Sequence, residues 1–109
     1  MIEKIVFDYL KEKLNETVAM SMQDKDSFVL IERAGSGNED FIDSATIIIQ
    51  SYGKSIAAAA ALNEKVKEKM KDIDELEQIS RCKLQTDYNF TDKSMKRNRY
   101  QAIYEITKM

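Results

Sequence analysis

The 109 residues, 43% apolar and 33% charged with a net charge of −2, suit one domain built on a single core. That near-neutral balance gives no bulk electrostatic reason to expect a nucleic-acid or membrane partner, and no apolar run approaches the ~20 residues that span a bilayer. The chain has no histidine and Cys82 is its one cysteine, which removes the commonest general base, an intrachain disulfide and any cysteine-based zinc site.

The opening residues Met1 to Phe7 lack the basic region and long apolar core of a secretory signal, so the cytoplasmic side of a cell is the expected compartment. From Ile2 to about Leu14, apolar residues at Ile2, Ile5, Val6, Tyr9, Leu10 and Leu14 recur at helical spacing. Asn15 to Thr17 ends that helix, and Val18 to Met22 reads as a short extended piece or a loop. A turn at Asp24 to Ser27 precedes a strand at Phe28 to Ile31. Ala34 to Asp40 holds two of the three glycines and predicts a flexible connection between antiparallel strands. The next strand, Ser44 to Tyr52, centres on three isoleucines, Ile47, Ile48 and Ile49, which predict a central strand covered on both faces.

A helix of about Lys54 to Lys71 follows, with Ala59, Leu62, Val66, Met70 and Ile73 as its buried stripe. Its alanines keep the first half thin, so that the backbone approaches the sheet or a neighbouring subunit closely. Asp72 to Glu77 is a solvated acidic connection. Ile79 to Leu84 is extended, with Cys82 and Leu84 on one side and Arg81 and Lys83 on the other. Tyr100 to Thr107 alternates well and places Tyr100, Ala102, Tyr104 and Ile106 together. Asp87 to Asn98 between them is a polar loop or hairpin arm. These elements predict an α+β fold of order α-β-β-α-β-β, with two helices packed on one face of a mostly antiparallel four-stranded sheet.

Gly53-Lys54-Ser55, between an apolar strand and an alanine-rich helix, has the outline of a phosphate-binding loop. That loop needs a first glycine five positions before Gly53, where it lets the backbone curl its amides onto phosphates. Ile48 stands there instead, and no apolar strand ends in an aspartate that would hold a metal. The segment is therefore read as structural: Gly53 allows a tight strand-to-helix turn and Ser55 caps the helix.

Lys93, Lys96, Arg97 and Arg99 lie near Tyr88, Phe90 and Tyr100, a combination that also occurs where phosphates are held and bases stacked. Asp87 and Asp92 dilute the patch, which favours a solvated loop or a surface for a charged protein partner. Glu32, Glu39, Asp40 and Asp43 surround the glycine segment without calcium-loop spacing and read as a polar loop. Cys82 reads as a packed thiol. No catalytic, cofactor-binding or metal-binding residue is assigned.

The string from Ile48 to Ser55 (IIQSYGKS), continued by Ala61 to Val66 (ALNEKV), resembles the strand-to-helix centre of small phage minor capsid and tail-terminator proteins. So do Ile79 to Asp92 (ISRCKLQTDYNFTD) and Arg99 to Ile106 (RYQAIYEI), so that the resemblance covers nearly the whole chain, residues 1–109, as one tail-terminator-like domain. The resemblance implies a virion-assembly protein of long-tailed double-stranded-DNA phages or prophages, assembled in the bacterial host cytoplasm. It further implies a ring of copies, typically a hexamer, that caps the head-proximal end of the tail tube and receives the head connector. That role has no catalytic residue and no cofactor. The expected partners are other copies of the chain, the tail-tube protein and the connector, without a membrane or specific nucleic acid. Two polar segments are expected to dock: Gly35, Ser36, Gly37, Asn38, Glu39 and Asp40 in one, and Lys93, Lys96, Arg97 and Arg99 in the other. The alternative is a small protein-binding or regulatory module of phage origin that forms no ring.

Overall fold

The structure is a computed structural model that describes residues 1–39 and 42–109, with the backbone alone for 36–39 and 42. Helix α1 (Ile2–Lys13) forms where the apolar spacing predicts it, and Ile2, Val6, Tyr9 and Leu10 are its buried face. On its exposed side the Lys4 ammonium meets the Asp8 carboxylate one turn later at 2.7 Å. Leu14 turns extended and stops the helix.

Strand β1 (Val18–Ala19) comes next and runs parallel to β2 (Phe28–Glu39), with Val18 opposite Val29. Strands β3 (Ile42–Gly53), β4 (Ile79–Asn89) and β5 (Asn98–Lys108) complete the sheet in the spatial order β1-β2-β3-β5-β4. The expected order α-β-β-α-β-β and four-stranded, mostly antiparallel sheet are therefore incorrect. The described residues give α-β-β-β-α-β-β around a five-stranded mixed sheet. The missing strand is only two residues long and shows no periodicity. It is held by register with β2 and by the Val29 amide donating to the Thr17 carbonyl at 2.8 Å.

The glycine segment also departs from expectation, because β2 does not stop at Ile31. It pairs with β3 as far as Glu39 opposite Ile42, and a bulge between Arg33 and Gly35 absorbs the glycine-rich sequence. Asp40 lies outside the described residues. The arm expected at Asp87 to Asn98 is shorter than predicted, since β4 runs to Asn89 and leaves a hairpin turn closed by an isolated bridge from Asp92 to Arg97.

Helix α2 (Ile56–Met70) starts where the Ser55 hydroxyl accepts from the Ala58 amide at 3.0 Å, the expected cap. The full stripe of Ala59, Leu62, Val66, Met70 and Ile73 is buried, and Ile73 sits in a short 3-10 turn (Ile73–Glu75) within the acidic connection. Both helices lie on one face of the sheet. Val6, Leu10, Leu62, Val66 and Met70 join Val29, Ile31, Ala45, Ile47, Ile49, Ala102, Tyr104 and Ile106 in one core. Arg33 reaches Glu3 of α1 at 3.2 Å and ties β2 to that layer. No helix among the described residues is long and apolar enough to cross a membrane.

Gly53 earns its place through space and not through backbone freedom, because its φ is not positive. A Cβ built there would lie 2.5 Å from the Ala59 nitrogen and 2.9 Å from the Ala58 carbonyl carbon, both rigid helix backbone. Gly53→Val should therefore cost about 3 kcal/mol or more, or abolish folding, since neither the strand nor the helix can yield. Lys54→Ala should stay within about 0.5 kcal/mol and Ser55→Ala should lose about 1 kcal/mol, all read from urea unfolding followed by circular dichroism.

Candidate interaction face

Strand alternation sends Val29, Ile31, Ile47 and Ile49 to the helices and their neighbours to the opposite face. The registers set Phe28 opposite Tyr52, Leu30 opposite Gln50, Gln50 opposite Gln101, and Tyr88 opposite Gln101, so these side chains share the outer face. At one end of this face Phe28, Leu30 and Tyr52 form a second small core. The Phe28 and Tyr52 rings stack with centroids 4.4 Å apart and an interplanar angle of 7°.

Two arginines close over that stack. The Arg97 guanidinium lies 5.5 Å from the Phe28 centroid and 5.2 Å from Tyr52. Its Nη2 donates to the carbonyls of Gln23 (3.2 Å) and Lys25 (3.1 Å) and touches the Met22 sulfur at 3.9 Å. Those contacts pin residues 20–27, the connection from β1 to β2, against the outer face. Arg99 sits 4.5 Å from the Phe90 centroid and donates from Nε to the Phe90 carbonyl at 2.7 Å.

From Arg99 a chain of hydrogen bonds crosses three strands. Its Nη1 donates to the Tyr52 hydroxyl at 3.0 Å, and that hydroxyl donates to Gln50 Oε1 at 3.1 Å. Gln50 Nε2 donates to Gln101 Oε1 at 2.7 Å, and Gln101 Nε2 donates to the Tyr88 hydroxyl at 2.7 Å. Gln50 and Gln101 are both buried. The four bonds run in one direction, from the Arg99 guanidinium to the Tyr88 hydroxyl.

The turn beside this face is built by Asp92. Its Oδ1 accepts from the Ser94 amide (3.1 Å), the Ser94 hydroxyl (2.7 Å) and the Met95 amide (3.1 Å). The Ser94 hydroxyl, followed by the Met95 amide and with a smaller part from Arg99, holds the Asp92 carboxyl below its ordinary value. Lys96 adopts the left-handed conformation with φ 54°, which closes the turn. Lys93 and Lys96 point to solvent.

Of the residues expected to dock, Arg97 and Arg99 come together on the outer face, with Lys93 and Lys96 on the adjoining turn. Gly35, Ser36, Gly37, Asn38 and Glu39 belong to the far half of β2. The sheet has Gly53 opposite Asn98 at one end and Asp43 opposite Lys108 at the other, so the glycine segment and the basic turn lie at opposite ends. Asp40 is outside the described residues. The sequence reading missed Phe28, Gln50, Tyr52 and Gln101. The signal was present as two polar or aromatic residues, Gln50 and Tyr52, alternating with the inward members of β3.

On the helix side, Cys82 and Leu84 of β4 face Met70 and Tyr104 across a cavity of about 330 Å³, with Lys67 and Lys71 at its rim. Burial pushes the Cys82 thiol up to about 11, with Asp74 adding a smaller part. Lys67 reaches Asp87 and Glu64, each at 3.1 Å. Ile48, at the position a phosphate loop would need as glycine, is paired within β3 to Glu32 and Ile103.

No protein-family model matches the chain, and no curated protein matches it in sequence.

Gln50→Leu should cost about 1–3 kcal/mol, because it strands the Tyr52 hydroxyl and Gln101 Oε1 without their partner. Tyr88→Phe, at the exposed end of the chain, should cost under about 1 kcal/mol in the same urea titration. At pH 8 the Cys82 thiol should react with iodoacetamide about a hundredfold more slowly than an unperturbed cysteine. The folded chain keeps this proton after the unfolded chain has lost it, so stability should fall as pH rises from about 9 to about 11. Cys82→Ala should flatten that fall.

Proposed function

We propose that this chain is a structural virion-assembly protein of the tail-terminator or minor-capsid type. In this reading it joins the head connector to the head-proximal end of a phage tail tube and acts as a ring of copies, without bond-making chemistry. The observation that carries the reading is the outer face of the sheet. Arginine and aromatic side chains, the types that dominate protein contacts, are fixed there before any partner arrives. Tyr88, Phe90 and Met22 are 38%, 41% and 58% exposed, while the amides beneath them are buried and bonded to one another. Such side chains lose little further freedom on docking, which lowers the entropic cost of association. The resemblance of residues 48–66, 79–92 and 99–106 to head–tail joining proteins supplies the particular setting. A ring of identical subunits requires a surface that meets a different surface on the next copy. A face confined to one end of a molecule 43 Å long suits such a contact.

Light scattering at rising concentration should show a defined oligomer, and electron microscopy of the protein mixed with uncapped tail tubes should show a ring at one end. The double variant Arg97→Gln with Arg99→Gln, which keeps a donor at each position, should unfold at lower urea yet stay folded by circular dichroism without denaturant, and fail to cap. A chain that stays monomeric and ignores both tubes and connector would overturn the assembly reading in favour of a small binding module.

A further inference from the structure

The proposed docking face is one-sided in its hydrogen-bond chemistry. The relay that starts at Arg99 ends with the Tyr88 hydroxyl accepting from Gln101, so the Tyr88 proton is left to point outward. Among the described residues, Arg99 Nη2 and Arg97 Nη1 make no hydrogen bond, while Lys93 and Lys96 stand on the helix side of the turn beside Ile56. Neither arginine has a carboxylate within ion-pair distance there, and the nearby Asp92 Oδ1 is occupied by the turn. The face therefore presents arginine donors beside an exposed apolar pair, Tyr88 and Phe90. Its complement is a ligand rich in acceptors and negative charge, with an apolar group for that pair.

We infer that this face recognises an acidic protein segment, in which carboxylates and main-chain carbonyls meet Arg97, Arg99 and Tyr88 while an apolar side chain packs on Phe90. The inference rests on the reading of this face as a docking surface and specifies the chemistry of what docks. A nucleic-acid strand fits less well. The stacked pair Phe28 and Tyr52 is buried and Arg99 already lies over the Phe90 ring, so among the described rings of this face Tyr88 alone has neither a stacked partner nor a cation over it, too few for successive bases.

The test is a nuclear magnetic resonance titration of the full chain with a twelve-residue peptide that alternates aspartate and glutamate with leucine and phenylalanine. The same peptide with lysine in place of its acids, and a twelve-residue oligothymidylate, are run beside it. The acidic peptide should shift the side-chain signals of Arg97, Arg99, Tyr88 and Phe90 and bind more weakly as salt rises. Arg97→Gln with Arg99→Gln should weaken it about tenfold or more and Tyr88→Phe about threefold, in line with lost charge-assisted and neutral bonds. Equal binding of the lysine peptide, tighter binding of oligothymidylate, or no shift with any probe would each overturn the inference. A chain that caps tail tubes yet ignores the acidic peptide sinks this inference alone. One that binds the peptide but neither self-associates nor caps sinks only the assembly reading.

Discussion

The register of β3 between β2 and β5 is the constraint on which both faces depend. A slip of one residue would send Ile47 and Ile49 outward and bring Gln50 and Tyr52 under the helices, exchanging the two faces of the strand. Two features at one end of β3 pin it. Gly53 fits beneath the first turn of α2 only where no Cβ intrudes, and Tyr52, its neighbour on the other face, stacks on Phe28 of β2. Adjacent residues thus fix the strand from opposite sides. The helix layer reads the position of the backbone, and the outer layer reads the orientation of a ring.

The outer face shows how a polar interior is made affordable within a small domain. Burying Gln50 and Gln101 without partners would cost several kcal/mol, on the order of 1–3 for each stranded group. Their mutual bond and the flanking tyrosines satisfy both amide chains, and Arg99 donates at one end of the series. Parallel pairing of β1 with β2 contributes as well, because the intervening residues 20–27 must return along the sheet. That path lays the carbonyls of Gln23 and Lys25 where Arg97 is waiting. One short strand therefore explains why Phe28 and Tyr52 are covered while Tyr88 and Phe90, on the far edge, are not.

The elements legible in the sequence were those that repeat over several turns or several pleats. The stripe from Ala59 to Ile73 and the alternation from Tyr100 to Ile106 each carry enough periods to be unambiguous, and both stand in the structure on the faces expected. β1 had only two residues, too few for a period. The far half of β2 was hidden by glycines that signal a loop in isolation, although pairing with β3 supplies what their side chains do not. The isoleucine run drew attention to the core and away from Gln50 and Tyr52, just beyond it. Arg97 and Arg99 were visible as charge, but their bonds reach Gln23, Lys25 and Tyr52, 47 to 74 residues away in the chain. Spacing within one stretch contains no trace of such pairing.

An open sheet that displays aromatic rings invites unwanted pairing, and β4 carries the countermeasures. It is an edge strand of 11 residues, long enough to template another chain. Two bulges, between Ile79 and Arg81 and between Leu84 and Thr86, break the regular spacing of its unpaired backbone groups. Arg81 and Lys83 set charge along the same stretch, exposed to solvent. An incoming strand would have to desolvate those cations and match an irregular ladder, so indiscriminate edge addition is disfavoured. Under the proposed docking, a partner would meet the outer face instead, where Arg97, Arg99 and Tyr88 lie. Irregular spacing and exposed cations act on the backbone of any incoming strand, so this protection does not depend on that strand's sequence.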